Sequence, residues 1–236
     1  MAGLQKEGED LTARYAWQVE HAEVISRFLK YLNETTGSFI LKGGTALMAC
    51  YGLDRFSADI DLDGTTGGIE TIVGGFCEKQ GFTFRTAKDT ATVKRYMINY
   101  GNDGKPLKVE TSFRKKAIPP VEVANIGGVA VYKIDSLCVM KANAYAGRDK
   151  IRDLYDLVFI CNNYWNELSD QIISVVRNAV EFKGIEQFDF LIKDQQDELV
   201  DKNKLADDFL KMYDNLGLLC DERERQIIAE NLDKTL

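Results

Sequence analysis

One histidine in 236 residues removes whole classes of chemistry. Metal centres built on clustered histidines need a second one. A hydrolase or nuclease resting on His21 would need that ring in a cleft. Beside Val19, Glu20 and Ala22, in a stretch with helical character, it reads instead as a helix-surface histidine. Five cysteines (Cys50, Cys77, Cys138, Cys161, Cys220) form no C-x-x-C pair, which argues for reduced, mostly buried thiols and a cytoplasmic protein. No apolar run approaches membrane-spanning length, and the polar, acidic first ten residues exclude a signal or transit peptide, so no membrane association is expected. A basic excess is also missing. With a net charge of −7, any nucleic acid would have to be held by a local basic face rather than by the whole surface.

What is present is ordinary globular material, 45% hydrophobic and 28% charged, enough for a sizeable core. Trp17, Ala22, Val24, Ile25, Phe28, Leu29 and Leu32 give a helical period over about 12–31, with Gly37 placed for its C-terminal cap. Residues 38–41 read as a short buried strand and 45–51 as a helix stopped by Gly52. The alternation in 59–63 marks a strand with one face buried, after which 64–68 is a turn and 69–80 a helix. Strands follow at 82–84, 92–100, 107–113 and 129–132, with Gly101-Asn102-Asp103-Gly104 as a turn and Pro119-Pro120 as a break. From Ile134 the pattern is helical: one long run to about 162, interrupted near Gly147, then helices over 167–182, 196–213 and 222–232. The expected organisation is an α/β core over 1–133 and a helical domain over 134–236.

Chemistry concentrates in Leu41-Lys42-Gly43-Gly44-Thr45-Ala46-Leu47 and Arg55-Phe56-Ser57-Ala58-Asp59-Ile60-Asp61-Leu62. Residues two apart on a strand share a face, so Asp59 and Asp61 project together while Ile60 and Leu62 enter the core. Two carboxylates that close repel unless a cation lies between them, and Mg²⁺ (or Mn²⁺) suits a site of one or two carboxylates completed by water and phosphate oxygens. Asp63 reads as a turn residue beside Gly64, and Ser57 as a hydroxyl that steadies the start of the strand. Gly43, Gly44 and Thr45 sit where a strand becomes a helix, a place where free amides and the helix dipole favour phosphate. This is not a P-loop, because the G-x-x-x-x-G-K-[ST] spacing is absent.

These two segments together resemble the signature of DNA polymerase β-like nucleotidyltransferases and, more narrowly, the AbiEii/AbiGii toxin family that includes the MenT toxins. The resemblance implies a polymerase β-like core, a mixed sheet flanked by helices, followed by a C-terminal helical bundle. It implies Mg²⁺ held by Asp59 and Asp61 and an NTP substrate seated on Gly43, Gly44 and Thr45. The superfamily's third carboxylate, on a later strand, fits Glu110, which shares a face with Lys108 and Ser112. Glu110 would be a metal ligand or a general base, against the plainer reading of an exposed Lys108/Glu110 pair. A second block of resemblance, 137–157, implies that Lys141 neutralises the triphosphate with help from Lys150 or Arg152, while Asp153 and Asp156 orient those cations. The implied setting is a type IV-like toxin–antitoxin or abortive-infection system, with RNA, most directly the tRNA 3′ end, as acceptor and a cognate antitoxin as partner. Arg85, Lys88, Lys94, Arg95, Arg114, Lys115 and Lys116 are the basic residues available to RNA, although Lys94 and Arg95 face opposite ways on a strand. Two other readings stay open: the same core acting on a small molecule or protein, and a catalytically idle binding partner.

Overall fold

A computed structural model describes residues 2–101 and 105–219, with side chains from residue 16 onward. The turn at 101–104, the helix expected over 222–232 and Cys220 fall wholly or largely outside the described residues. The chain divides into two compact units, Met1–Leu137 and Cys138–Leu236.

The first unit is built on a mixed seven-stranded sheet: β1 (Phe39–Lys42), β2 (Asp59–Gly64), β3 (Thr83–Asp89), β4 (Val93–Asn99), β5 (Leu107–Ser112), β6 (Val123–Ile126) and β7 (Val129–Tyr132). They are ordered β3-β4-β5-β2-β1-β7-β6. β2 pairs parallel with β5 and β1 parallel with β7, and the other pairs are antiparallel. A parallel pair needs a crossover, and the β2-to-β5 connection contains α3 (Ile69–Gln80) and the β3–β4 hairpin. One face of the sheet is apolar: Ile60, Leu62, Tyr96, Ile98, Leu107 and Val109 are all buried. Against it pack α1 (Ala2–Thr35), through Val24, Ile25, Phe28 and Leu32, and α3, through Ile72, Val73 and Phe76. Phe28 and Phe76 meet edge to face with ring centroids 5.1 Å apart.

Between β1 and β2 lies α2 (Gly43–Tyr51), which ends where Gly52, at φ 72°, supplies the left-handed cap and donates its N–H to the Leu47 carbonyl. The expected role of Gly37 as the cap of α1 is not met, since its φ is not positive and α1 ends at Thr35. β6 was not expected: it is a short edge strand folded onto β7 through Gly127 and Gly128, with no polar–apolar alternation to betray it.

The second unit is helical. The long run expected over 134–162 is interrupted where Gly147 suggested: it is two helices, α4 (Ile134–Gly147) and α5 (Ile151–Tyr164), parted at 148–150. α6 (Asp170–Asp194) is capped by the Ser169 hydroxyl and broken at Gly184, and α7 (Lys202–Asn215) is capped by Asp201. Cys77, Cys138 and Cys161 are buried and Cys50 half-buried, all as free thiols. Among the described residues no helix is long and apolar enough to cross a membrane.

Candidate active site

The polar face of the sheet gathers charge along its register. Asp61 on β2 stands opposite Glu110 on β5, Glu110 opposite Arg95 on β4, and Asp61 on its other side opposite Lys42 on β1. One step along the strand, Asp59 stands opposite Lys108. Register partners share a face, so Asp59, Asp61 and Glu110 project to the same side although Glu110 is 49 positions from Asp61 in sequence. The local Lys108/Glu110 pair weighed above does not form. Lys108 Nζ lies 2.6 Å from Asp59 Oδ2, and Arg95 Nε donates to Glu110 Oε2 at 2.6 Å.

Asp61 is the carboxylate left over. Among the described residues it has no hydrogen bond or ion pair, and burial lifts its carboxyl above the ordinary range. The negative charges of Asp59 and Glu110 push the same way, against Lys108 and Lys42. A half-buried, unpaired oxygen donor flanked by two more carboxylates is the donor chemistry a hard divalent cation takes. Among the described residues no three such side chains converge at ligating distance. Lys108 and Arg95 each engage one oxygen of their carboxylate, Asp59 Oδ2 and Glu110 Oε2, which leaves the second oxygen of each to a ligand.

Gly43 begins α2 at φ 76°, and a Cβ there would meet Asp61 Oδ2 at 2.9 Å. Glycine is thus required both by the backbone and by the approach of the carboxylate. Gly44 is packed on its other side: a Cβ would strike Ser57 Oγ at 2.8 Å and the Arg55 guanidinium at 2.9 Å. Thr45 does not cap α2, which starts two residues earlier without any side-chain cap. Its buried hydroxyl donates instead to the Asp59 carbonyl and lies 3.0 Å from Ser57 Oγ, while the Ser57 N–H points at Met48 Sδ at 3.3 Å. The Ser57 hydroxyl is thus tied to Thr45, whose own bond reaches the start of β2.

In the helical unit Lys141 is only 9% exposed and pairs with Asp156 at 2.6 Å and Asp153 at 3.3 Å. Burial raises Asp153, but the Arg148 hydrogen bonds and the Lys141 charge outweigh it and hold the carboxyl below its ordinary value. Arg152 is exposed and bonded through Nε to Asp197 at 2.5 Å, and Lys150, exposed, precedes α5. Arg148 shares Asp153 with Lys141, whereas Arg152 turns away from both to Asp197.

Several residues escaped sequence reasoning. Asp63 is no turn residue: β2 runs through it to Gly64, and its carboxylate, 3% exposed, accepts from Lys42 Nζ at 2.5 Å and from the Tyr132 hydroxyl at 2.9 Å. That places Lys42 beside Asp61 at the start of α2. His21 is the second correction. It is 1% exposed, with Nδ1 at 2.5 Å from the Tyr100 hydroxyl and Nε2 at 2.7 Å from the carbonyl of Ala58, the residue before Asp59. Its helical phase with Val24, Ile25 and Phe28 was the signal that pointed inward.

A family model described as nucleotidyl transferase AbiEii toxin, type IV toxin–antitoxin system, matches residues 27–224. No curated protein matches the chain. Among solved structures it is similar to JHP933 from Helicobacter pylori, at 26% identity and TM-score 0.70 over 92% of this chain and 98% of that one. It is also similar in fold to MenT4, a nucleotidyltransferase toxin of Mycobacterium tuberculosis, at 18% identity and TM-score 0.51 over 86% and 85% of the two chains. With the family match covering most of its length and the fold shared, the chain belongs to the AbiEii nucleotidyltransferase toxin family and is a nucleotidyltransferase.

Proposed function

We propose that the protein transfers a nucleoside monophosphate from an NTP to a hydroxyl of RNA, at the tRNA 3′ end, in a reaction dependent on Mg²⁺ or Mn²⁺. The observation that carries this reading is the register that sets Glu110 opposite Asp61 and beside Asp59. Asp59, Asp61 and Glu110 are the residues that would hold the cation. When bound it supplies positive charge to the phosphates and acidifies the acceptor hydroxyl.

The chain's own residues do the rest. The amides of Gly43 and Gly44 open α2, and with the helix dipole they offer donors to the triphosphate. Thr45 fixes the Asp59 backbone from beneath, and Asp63 holds the Lys42 ammonium beside the same helix start. The acceptor oxygen attacks the α-phosphorus, the bond to the bridging oxygen breaks and pyrophosphate leaves. The hydroxyl proton goes to a carboxylate oxygen of Glu110. The resemblance also gives Lys141 to the triphosphate, with Lys150 and Arg152 beside it; that assignment rests on the resemblance alone.

The test is a survey of acceptors. Protein incubated with each labelled NTP, Mg²⁺ and either total RNA, protein extract or small hydroxyl compounds should label tRNA, and chelation should stop it. Label in protein or small molecules with none in RNA would move the acceptor elsewhere.

A further inference from the structure

We infer that the polar face of β5, β4 and β3 is the track along which the sugar–phosphate backbone of the acceptor nucleic acid runs to the carboxylates. The inference rests on the RNA-acceptor reading and adds to it a place and a direction.

The register lays the track out. From Asp59 the same face continues through Lys108 on β5 and Met97 on β4 to Arg85 on β3. From Asp61 it continues through Glu110 and Arg95 to Lys88 on β3. Arg85 and Lys88 are three apart, and in a regular strand they would face opposite ways. An irregularity between Thr86 and Lys88 shifts the register and brings both to the site's face. Four cations, Arg85, Lys88, Arg95 and Lys108, thus stand on one side of these three strands, with Glu110 the acid among them in the described residues.

Lys108 and Arg95, nearest the site, are held by Asp59 and Glu110. Arg85 and Lys88 are exposed and have no ion pair among the described residues. In a chain of net charge −7 this concentration of positive charge is local, and a local basic face is what a polyanion requires of an acidic protein. β3 is the edge of the sheet, three strand spacings from β2, which is about 14 Å. Gly43 and the start of α2 adjoin Asp61 from the β1 side. The carboxylates therefore lie between a seat for one triphosphate and a row that meets repeated phosphates on the other side. Lys94 does not belong to the track. Its register partner Thr111 faces the core, and its ammonium pairs with Asp89.

The experiment measures binding of fluorescent tRNA by the full chain across a salt series, without NTP. Arg85→Gln/Lys88→Gln is compared with Lys79→Gln/Lys94→Gln, which removes two charges from α3 and from the apolar side of the sheet. Far-UV circular dichroism and melting confirm that both variants fold. The track requires Arg85→Gln/Lys88→Gln to weaken binding severalfold and to flatten the slope of log affinity on log salt by about 0.7–0.9 per lost phosphate contact, while the control binds as wild type does. Wild-type and Arg85→Gln/Lys88→Gln affinities that coincide would overturn the track and leave an RNA acceptor standing. Equal losses in both variants would overturn it in favour of diffuse attraction. No binding of RNA by the wild type would overturn the track together with the acceptor reading.

Discussion

Asp61 and Glu110 face each other directly across the parallel β2–β5 pair, and among the described residues Asp61 has no ion pair. A fold under no functional demand has no reason to half-bury an unpaired carboxylate beside two others. Replacing Asp61 would relieve its repulsion with Asp59 and Glu110, and the arrangement gains only when a cation or a transferred proton enters it.

Asp61→Asn should therefore separate stability from activity. The raised folded pKa means that, in chelator, the wild type is at its most stable at pH below 3.8 as far as this group goes and loses that contribution as pH rises to the folded value. The Asn variant lacks this loss, so at pH 7 it should melt higher than the wild type while nucleotidyl transfer falls by roughly a hundredfold or more. Thermal melting at pH 4 and 7 together with a labelled-NTP assay checks both. A variant that melts lower at pH 7 would place a partner on Asp61 that the structure does not.

Gly43→Ala should cost about 1–2 kcal/mol for the left-handed backbone and also push Asp61 aside, so turnover should drop. Gly52→Ala carries the same strain at φ 72° with no atom within 4 Å of the added carbon. It should lose comparable stability and keep its activity. Equal activities in the two variants would show that the approach of Asp61 to Gly43 does not matter.

His21 should report on the support of Asp59. Burial lowers its pKa, against the Ala58 hydrogen bond and the charges of Asp59 and Glu20, with Lys105 adding to the lowering. Its stability contribution is full above pH 6.5 and is lost as pH falls through the folded value. His21→Gln should cost about 1–3 kcal/mol at pH 7.5 and remove the stability loss on acidification below 6.5. As the chain's one histidine, it gives an unambiguous NMR titration.

Lys141→Ala should destabilise the helical unit by about 3–5 kcal/mol, because the ammonium paired with buried Asp156 is lost and Asp153 is left to Arg148. Lys141→Met with Asp156→Asn should recover part of that in urea unfolding. A near-neutral Lys141→Ala would show that Arg148 and the other neighbours of Asp153 and Asp156 suffice to hold them.

The sequence made some of this legible and concealed the rest for physical reasons. Asp59 and Asp61 could be read because strand alternation is local, and the fold family because glycines, hydroxyl and aspartates keep a fixed spacing. Glu110 followed from the resemblance, which implies a third carboxylate on a later strand, and from the parity of its own strand. Its ion pair did not follow, because Arg95 reaches it across the β4–β5 register, which no local pattern encodes. Asp63 was misread because Gly64 looks like a turn, yet β2 continues through it opposite Phe39. His21 was misread by its polarity when its helical phase said core. The break between α4 and α5 was legible at Gly147, where α4 ends.

The most direct test is single-turnover transfer of labelled NMP to tRNA by the wild type, Asp61→Ala and Glu110→Gln, with folding confirmed by melting. The account requires both variants to lose transfer by roughly a hundredfold or more, as members of one site do. Glu110→Gln transferring at the wild-type rate would contradict it.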